Sequence, residues 1–319
     1  MSEQETDAKD AANAGDKTDV RSAAVPSATA NSDSRPIGFL WPEHERMRRA
    51  LKALSDGRLD DIQPNIDAIS DADDPTRAWT HWLTGRLLAR RHRAAEALEH
   101  LERCIAACAS GAGSTDELDR NRARLQSAAW EDVGVLRRRR EELSAARQAH
   151  EEAHRLRCAH GSFEECWSSA HEVALTAIIA GALDDAEAWC RKALNHADQI
   201  EQAADLYRAR SFELLAEVAS KAKHPQAAVG FARHALECYT QHDPGSLETA
   251  KAEASLIRLL VTAAEAALGT DQAAVTKSLD EALQRAPAVE QSLRAFGADQ
   301  DALHVRELTE LGTTLRDEM

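Results

Sequence analysis

Residues 130–153 read WEDVGVLRRRREELSAARQAHEEA. Within them, Trp130-x2-Val133-Gly134 is followed by Ala146-x3-His150-x2-Ala153. A charged break, Arg137 to Glu142, lies between the two halves. Gly134 has no side chain, so a neighbouring helix can approach closely there. Trp130 fills space one turn earlier. Ala146 and Ala153 stand seven apart on one helical face, which lets two helices close on small residues. The stretch predicts an antiparallel helical hairpin.

The same offset recurs on both sides. Gly85 precedes Ala97-x3-Leu101-x2-Cys104, with a turn at Arg90 to Arg93. Ala174 precedes Ala186-x3-Cys190-x2-Ala193, with a turn at Gly181. Ala216 precedes Ala228-x3-Ala232-x2-Ala235, with a turn at His224-Pro225. A sixth unit carries Leu259 and Ala263, a turn at Gly269-Thr270, then Leu279-x2-Ala282 leading to Pro287, which is read as its close. A weaker first hairpin has Met47, Leu51 and Leu54, a break at Gly57, and Leu59, Ile62, Ile66 and Ile69. Capping boxes at Ser114-x2-Glu117 and Ser162-x2-Glu165 mark two helix starts.

The recurring pattern resembles the tetratricopeptide (TPR) repeat, a helix–turn–helix unit of 34 residues. The small positions Gly85, Gly134, Ala174, Ala216 and Ala263 are separated by 49, 40, 42 and 47 residues. The units therefore resemble the long-helix variants, such as those of kinesin light chain, more than the minimal repeat. HEAT-like hairpins are the rival, and the fixed offset favours TPR. His150 departs from the family's large aromatic. The expected fold is all-α, a right-handed α-α superhelix of about six hairpins over residues 37–287. Residues 1–36, rich in Ser, Ala, Thr, Asn and Asp, are expected to be a disordered acidic tail. Residues 288–319 are expected to be a capping helix, since a solenoid needs a polar outer cap.

Composition bounds the job. Thirty-nine Lys and Arg against 54 Asp and Glu leave a formal charge of −15. That opposes non-specific binding to nucleic acid or anionic membrane. The start is acidic and polar, unlike a secretory signal, and no apolar run has transmembrane length, so a cytoplasmic location without membrane insertion is expected. The Ala-, Arg- and Asp-rich composition suits a GC-rich bacterial source. The six cysteines fall mostly at small-residue positions of helices and read as reduced core thiols.

The resemblance places a concave groove on the first helices of the hairpins. Carried onto this chain, its lining is Trp79, Trp82, Arg86 and Arg90, then Glu131, Val135 and Arg138. Next come His171, Leu175 and Ile178, and then Glu213 and Glu217. The lining would change sign, basic and aromatic early and acidic late, and would orient a bound segment. Packing against the first hairpin is an equal reading of the two tryptophans. The residues with which chaperone-binding TPR domains clamp a terminal carboxylate are not at matching positions.

Chemistry is sparse by comparison. Cys158, His160, Cys166 and His171 could hold zinc, but their spacing matches no finger, and burial explains such cysteines as well. There is no phosphate loop, no His-Glu-x2-His and no Gly-x-Ser-x-Gly. The expectation is a non-enzymatic scaffold that binds a protein or peptide and needs no cofactor. The alternatives are a peptide-gated regulator and, behind it, a metal-dependent enzyme.

Overall fold

The computed structural model describes residues 45–67, 74–110 and 116–318. The tail at 1–36, the apolar cluster at 37–41, Ile69 and the Ser114 capping box lie outside them. The described residues form thirteen α-helices and no strand.

Consecutive helices pair in chain order. Helix α1 (Glu45–Ser55) meets the short α2 (Ile62–Asp67) through a 3-10 turn at Leu59–Asp61. Then α3 (Asp74–Arg90) pairs with α4 (Ala94–Ser110), α5 (Asp116–Arg139) with α6 (Leu143–His160), and α7 (Phe163–Ile179) with α8 (Leu183–Ala197). Helix α9 (Ala204–Lys221) pairs with α10 (Pro225–His242), and α11 (Leu247–Ala267) with α12 (Gln272–Ala295). Each second helix also packs on the next first helix, so every hairpin closes its neighbour's apolar face. Helix α13 (Asp299–Asp317) ends the stack against α11 and α12.

The offset read in the sequence is the packing rule of these hairpins. Ala97, Leu101 and Cys104 are wholly buried, and so are Ala146, His150 and Ala153. The trios Ala186, Cys190, Ala193 and Ala228, Ala232, Ala235 repeat the arrangement. A Cβ added to Gly134 would lie 2.5 Å from the His150 ring, and one added to Gly85 would lie 2.8 Å from Leu101. Each glycine is thus the hole into which the middle residue of the facing trio fits. Gly134→Leu is expected to destabilise by about 1–3 kcal/mol through overpacking. Adding His150→Ala should recover part of that loss, because the two positions share one space. Urea unfolding followed by circular dichroism measures both. An unchanged midpoint for Gly134→Leu would show that the two helices do not meet there.

The turns inside the hairpins share one geometry as well. A left-handed residue precedes each second helix from the second hairpin to the sixth: His92, Glu141, Gly181, Lys223 and Gly269. Glycine takes that conformation freely, whereas His, Glu and Lys adopt it only because the packed helices on either side dictate it. Helix α7 begins with the expected capping box, Ser162 and Glu165 exchanging hydrogen bonds with each other's backbone. Pro287 is a correction. It does not end a helix; α12 runs through it to Ala295, and the terminal cap is α13 alone. The buried Ala286, Val289 and Leu293 hold the helix together across the proline.

Candidate functional site

The face built by α3, α5, α7, α9 and α11 was expected to carry a groove graded in charge. Its side chains are instead tied to one another from helix to helix. Trp82 and Trp79 are core residues, 3% and 1% exposed, with rings edge to face at 5.3 Å. They are buried because α1, α2, α4 and α5 all pack on α3. The Trp82 indole Nε1–H donates to Asp132 Oδ2 of α5 at 2.9 Å. The Arg86 guanidinium lies over the Trp82 ring at 4.9 Å and 3.6 Å from the same carboxylate. Burial raises the Asp132 pKa, and Arg86 opposes that only in part. Arg90, at the end of α3, is exposed.

On α5, Glu131 turns towards α6, where its carboxylate pairs with Arg157. Burial opposes its charge, but Arg157 prevails and the pKa falls. Arg138 reaches α7, with Nη1 2.6 Å from Glu172 Oε2 and 3.2 Å from Thr176 Oγ1. Val135 between them is half-buried. On α7, Leu175 is half-buried, whereas Ile178 and His171 are buried. The His171 ring lies 4.9 Å from Trp167, its Nδ1 has no partner, and burial pushes its pKa down to about 4. His171 is therefore a core histidine and lines nothing.

The acidic end is corrected too. Glu213 of α9 accepts the Tyr239 hydroxyl of α10 at 2.9 Å. Burial pushes its pKa up to about 7, so much of its charge is suppressed at neutral pH. Glu217 is half-buried, 3.8 Å from Lys221, and faces the half-buried Arg258 of α11. The result is a row of cross-linked pairs, with no sign change along it. Asp132, Glu172 and Arg258 belong to this row and were not among the expected residues. Asp132 and Glu172 each stand one position from an expected one.

The zinc set is regrouped as well. Cys166 lies beside Cys158, whose thiol hydrogen bond adds to burial in pushing the Cys166 thiol up to about 12. His160 is exposed at the end of α6, and His171 faces Trp167. The imidazoles next to Cys158 are those of His154 and His196. Cys158 is exposed, against the expectation of a core thiol; Cys104, Cys108, Cys166 and Cys190 are buried.

No protein-family model matches the chain, and no curated protein matches it in sequence. Solved structures match over most of its length. The apo form of RapI superposes with a TM-score of 0.55 over 87% of this chain and 100% of its own, at 8% identity. TPR-like repeats of a putative kinesin light chain from Podosopora anserina give 0.54 over 71% and 99%, at 14% identity. The fold is a TPR-like helical solenoid. Aspartyl phosphate phosphatase F from Bacillus subtilis shares it, with a TM-score of 0.52 over 83% of this chain and 69% of its own, at 9% identity. No described helix of the solenoid is long and apolar enough to cross a membrane.

Proposed function

We propose that this TPR-like solenoid binds a segment of a partner protein along the face of its first helices, and does so without chemistry of its own. One observation carries the reading. Half-buried charges concentrate on that face, as Arg86 with Asp132, Arg138 with Glu172, and Glu217 towards Arg258. Replacing such pairs by apolar residues is commonly neutral or stabilising, so stability alone does not account for a row of them. Arg90, Val135 and Leu175 add an open cation and two part-exposed apolar side chains. The fitting ligand is an extended segment with carboxylates that compete for Arg86 and Arg138, and apolar residues between them.

The test is photocrosslinking from Leu175, with Glu237 on the exposed face of α10 as the control position. The partner should couple from position 175 and not from 237. Arg138→Ala should weaken its binding by about 1–2 kcal/mol, more at low salt. Coupling from 237 alone, or unchanged affinity of a folded Arg138→Ala variant, would move the interface off this face.

A peptide-gated regulator is the second reading, and the Arg138–Glu172 pair favours it. That bond joins α5 to α7, the first helices of consecutive hairpins. A ligand carboxylate that took Arg138 would release the tie and change the angle between hairpins. Small-angle scattering with and without bound peptide separates this from a rigid scaffold.

A further inference from the structure

On the other face, between second helices, three metal-ligating groups meet. His154 and Cys158 are four apart on α6, which puts them one above the other on one helical face. His196 comes from α8. The Cys158 Sγ lies 3.4 Å from His154 Nε2 and 3.9 Å from His196 Nε2, and one ligand atom from each residue lies within 4.8 Å of the others. Zinc bonds of about 2.0–2.1 Å to nitrogen and 2.3 Å to sulfur imply a tetrahedral N···S edge of about 3.5 Å. The two N···S distances, 3.4 and 3.9 Å, bracket that value. Closing the group on an ion needs the exposed Cys158 side chain to move onto the His154 Nε2 lone-pair line and the half-buried His196 ring to turn.

The surroundings favour the ligating forms. The His154 Nδ1 sits 3.2 Å from the Cys166 carbonyl and 3.0 Å from Ser169 Oγ. A carbonyl only accepts, so Nδ1 carries the proton and Nε2 keeps its lone pair; the Cys158 Sγ, 3.8 Å from Nδ1 as well as 3.4 Å from Nε2, rests against the ring and not on that lone pair. The Nδ1–H contact is the outer hydrogen bond that orients metal-bound imidazoles. Burial, then His196, pushes the His154 pKa down to about 4, so the ring is neutral at physiological pH. The Trp189 ring closes one side at 5.0 Å from His154. Cys166, held as a thiol beside Cys158, is placed to donate a hydrogen bond to a Cys158 thiolate.

We propose that His154, Cys158 and His196 bind a divalent ion of the zinc class, with solvent at the fourth position. Binding displaces the Cys158 thiol proton to water and leaves a thiolate on the ion. One sulfur and two imidazoles exclude magnesium and calcium, which take oxygen. Helices α6 and α8 otherwise communicate mainly through α7, which packs on both. The ion would tie them directly and fix the junction between the third and fourth hairpins from the side opposite the proposed groove. The inference stands independently of what that groove binds.

The full-length protein, stripped with chelator and kept reduced, is titrated with Co2+ and then Zn2+. One equivalent of Co2+ should give a thiolate charge-transfer band and tetrahedral ligand-field bands, and Zn2+ should abolish both. Cys158→Ser and His196→Ala should each weaken binding at least ~100-fold, beyond the 10–100-fold cost of losing an outer-shell partner. Cys158 is exposed and His196 only half-buried, so circular dichroism should show both variants folded. Zn2+ should raise the unfolding temperature of the wild type and not that of Cys158→Ser. Cys166→Ser keeps a hydrogen-bond donor and should retain most of the affinity. No charge-transfer band in the wild type, or a band that survives Cys158→Ser, overturns the site. A loss in Cys166→Ser equal to that in Cys158→Ser overturns the three-ligand assignment.

Discussion

Trp82→Ala is expected to lower the stability of the early hairpins by about 3–5 kcal/mol, the range for removing a buried large aromatic. The ring is 3% exposed and packs edge to face on Trp79. Truncation leaves a cavity bounded by helices that cannot collapse without breaking their own pairing. It also removes the indole donor from Asp132, whose burial already disfavours its charge. Arg86 then remains the main compensation for that carboxylate. Trp82→Phe separates the two losses. It keeps most of the packing and should cost about 1–3 kcal/mol, the penalty for a buried acceptor left without its donor. Arg86→Ala should cost less than Trp82→Ala, since the side chain is 24% exposed and water can replace it. Denaturant unfolding of the three variants gives the order. A wild-type midpoint for Trp82→Ala would mean that α5 does not cover this ring.

The fold was legible because it rests on local spacing. Gly134 and His150 lie in adjacent helices of one hairpin, and their offset repeats at Gly85 and Leu101. Ser162 and Glu165 cap their own helix. The surface chemistry was not legible, because its partners come from other hairpins. Trp82 and Asp132 are 50 residues apart, and Arg138 and Glu172 are 34 apart. Reading the first helices one by one left these charges as an exposed gradient, whereas the neighbouring helix neutralises them. Pro287 misled for a related reason: the proline rule is local, and packing by Val289 and Leu293 overrides it. The metal ligands show the same division. The four-residue step from His154 to Cys158 was visible on one helix, but His196 lies 38 residues beyond Cys158.

Acidification should destabilise the protein between about pH 6.5 and about pH 4.5, with His150 as one identifiable cause. His150 is wholly buried behind Gly134, and neither ring nitrogen has a hydrogen-bond partner. Burial pushes its pKa down to about 4, with Glu172 and Glu131 pulling upward and Arg138 and Arg157 downward. Below the ordinary histidine value of 6.5, the unfolded chain takes up a proton that the native ring refuses. Stability therefore falls with pH across that window. At 1.36 kcal/mol per pKa unit, the full shift corresponds to about 3 kcal/mol as an upper bound. His171, also pushed to about 4, acts in the same direction. Glu213 acts oppositely. Its native pKa of about 7 lies above the ordinary carboxyl value, so the native state gains a proton first and is favoured as pH falls from 7 to 4.5. With His154, also pushed to about 4, three histidines outweigh the one carboxyl, so acidification brings a net loss of stability. His150→Leu isolates the contribution. Leucine is what the second unit places at the same point, Leu101 against Gly85. The variant should be more stable than wild type at pH 7 by about 1–3 kcal/mol, because it removes a buried unsatisfied group. Its advantage should grow as pH falls to 4.5. Urea midpoints for both proteins at pH 7, 6, 5 and 4.5 provide the measurement. Equal slopes with pH would show that the His150 ring is protonated in the native state, which would require a partner for it beside Gly134.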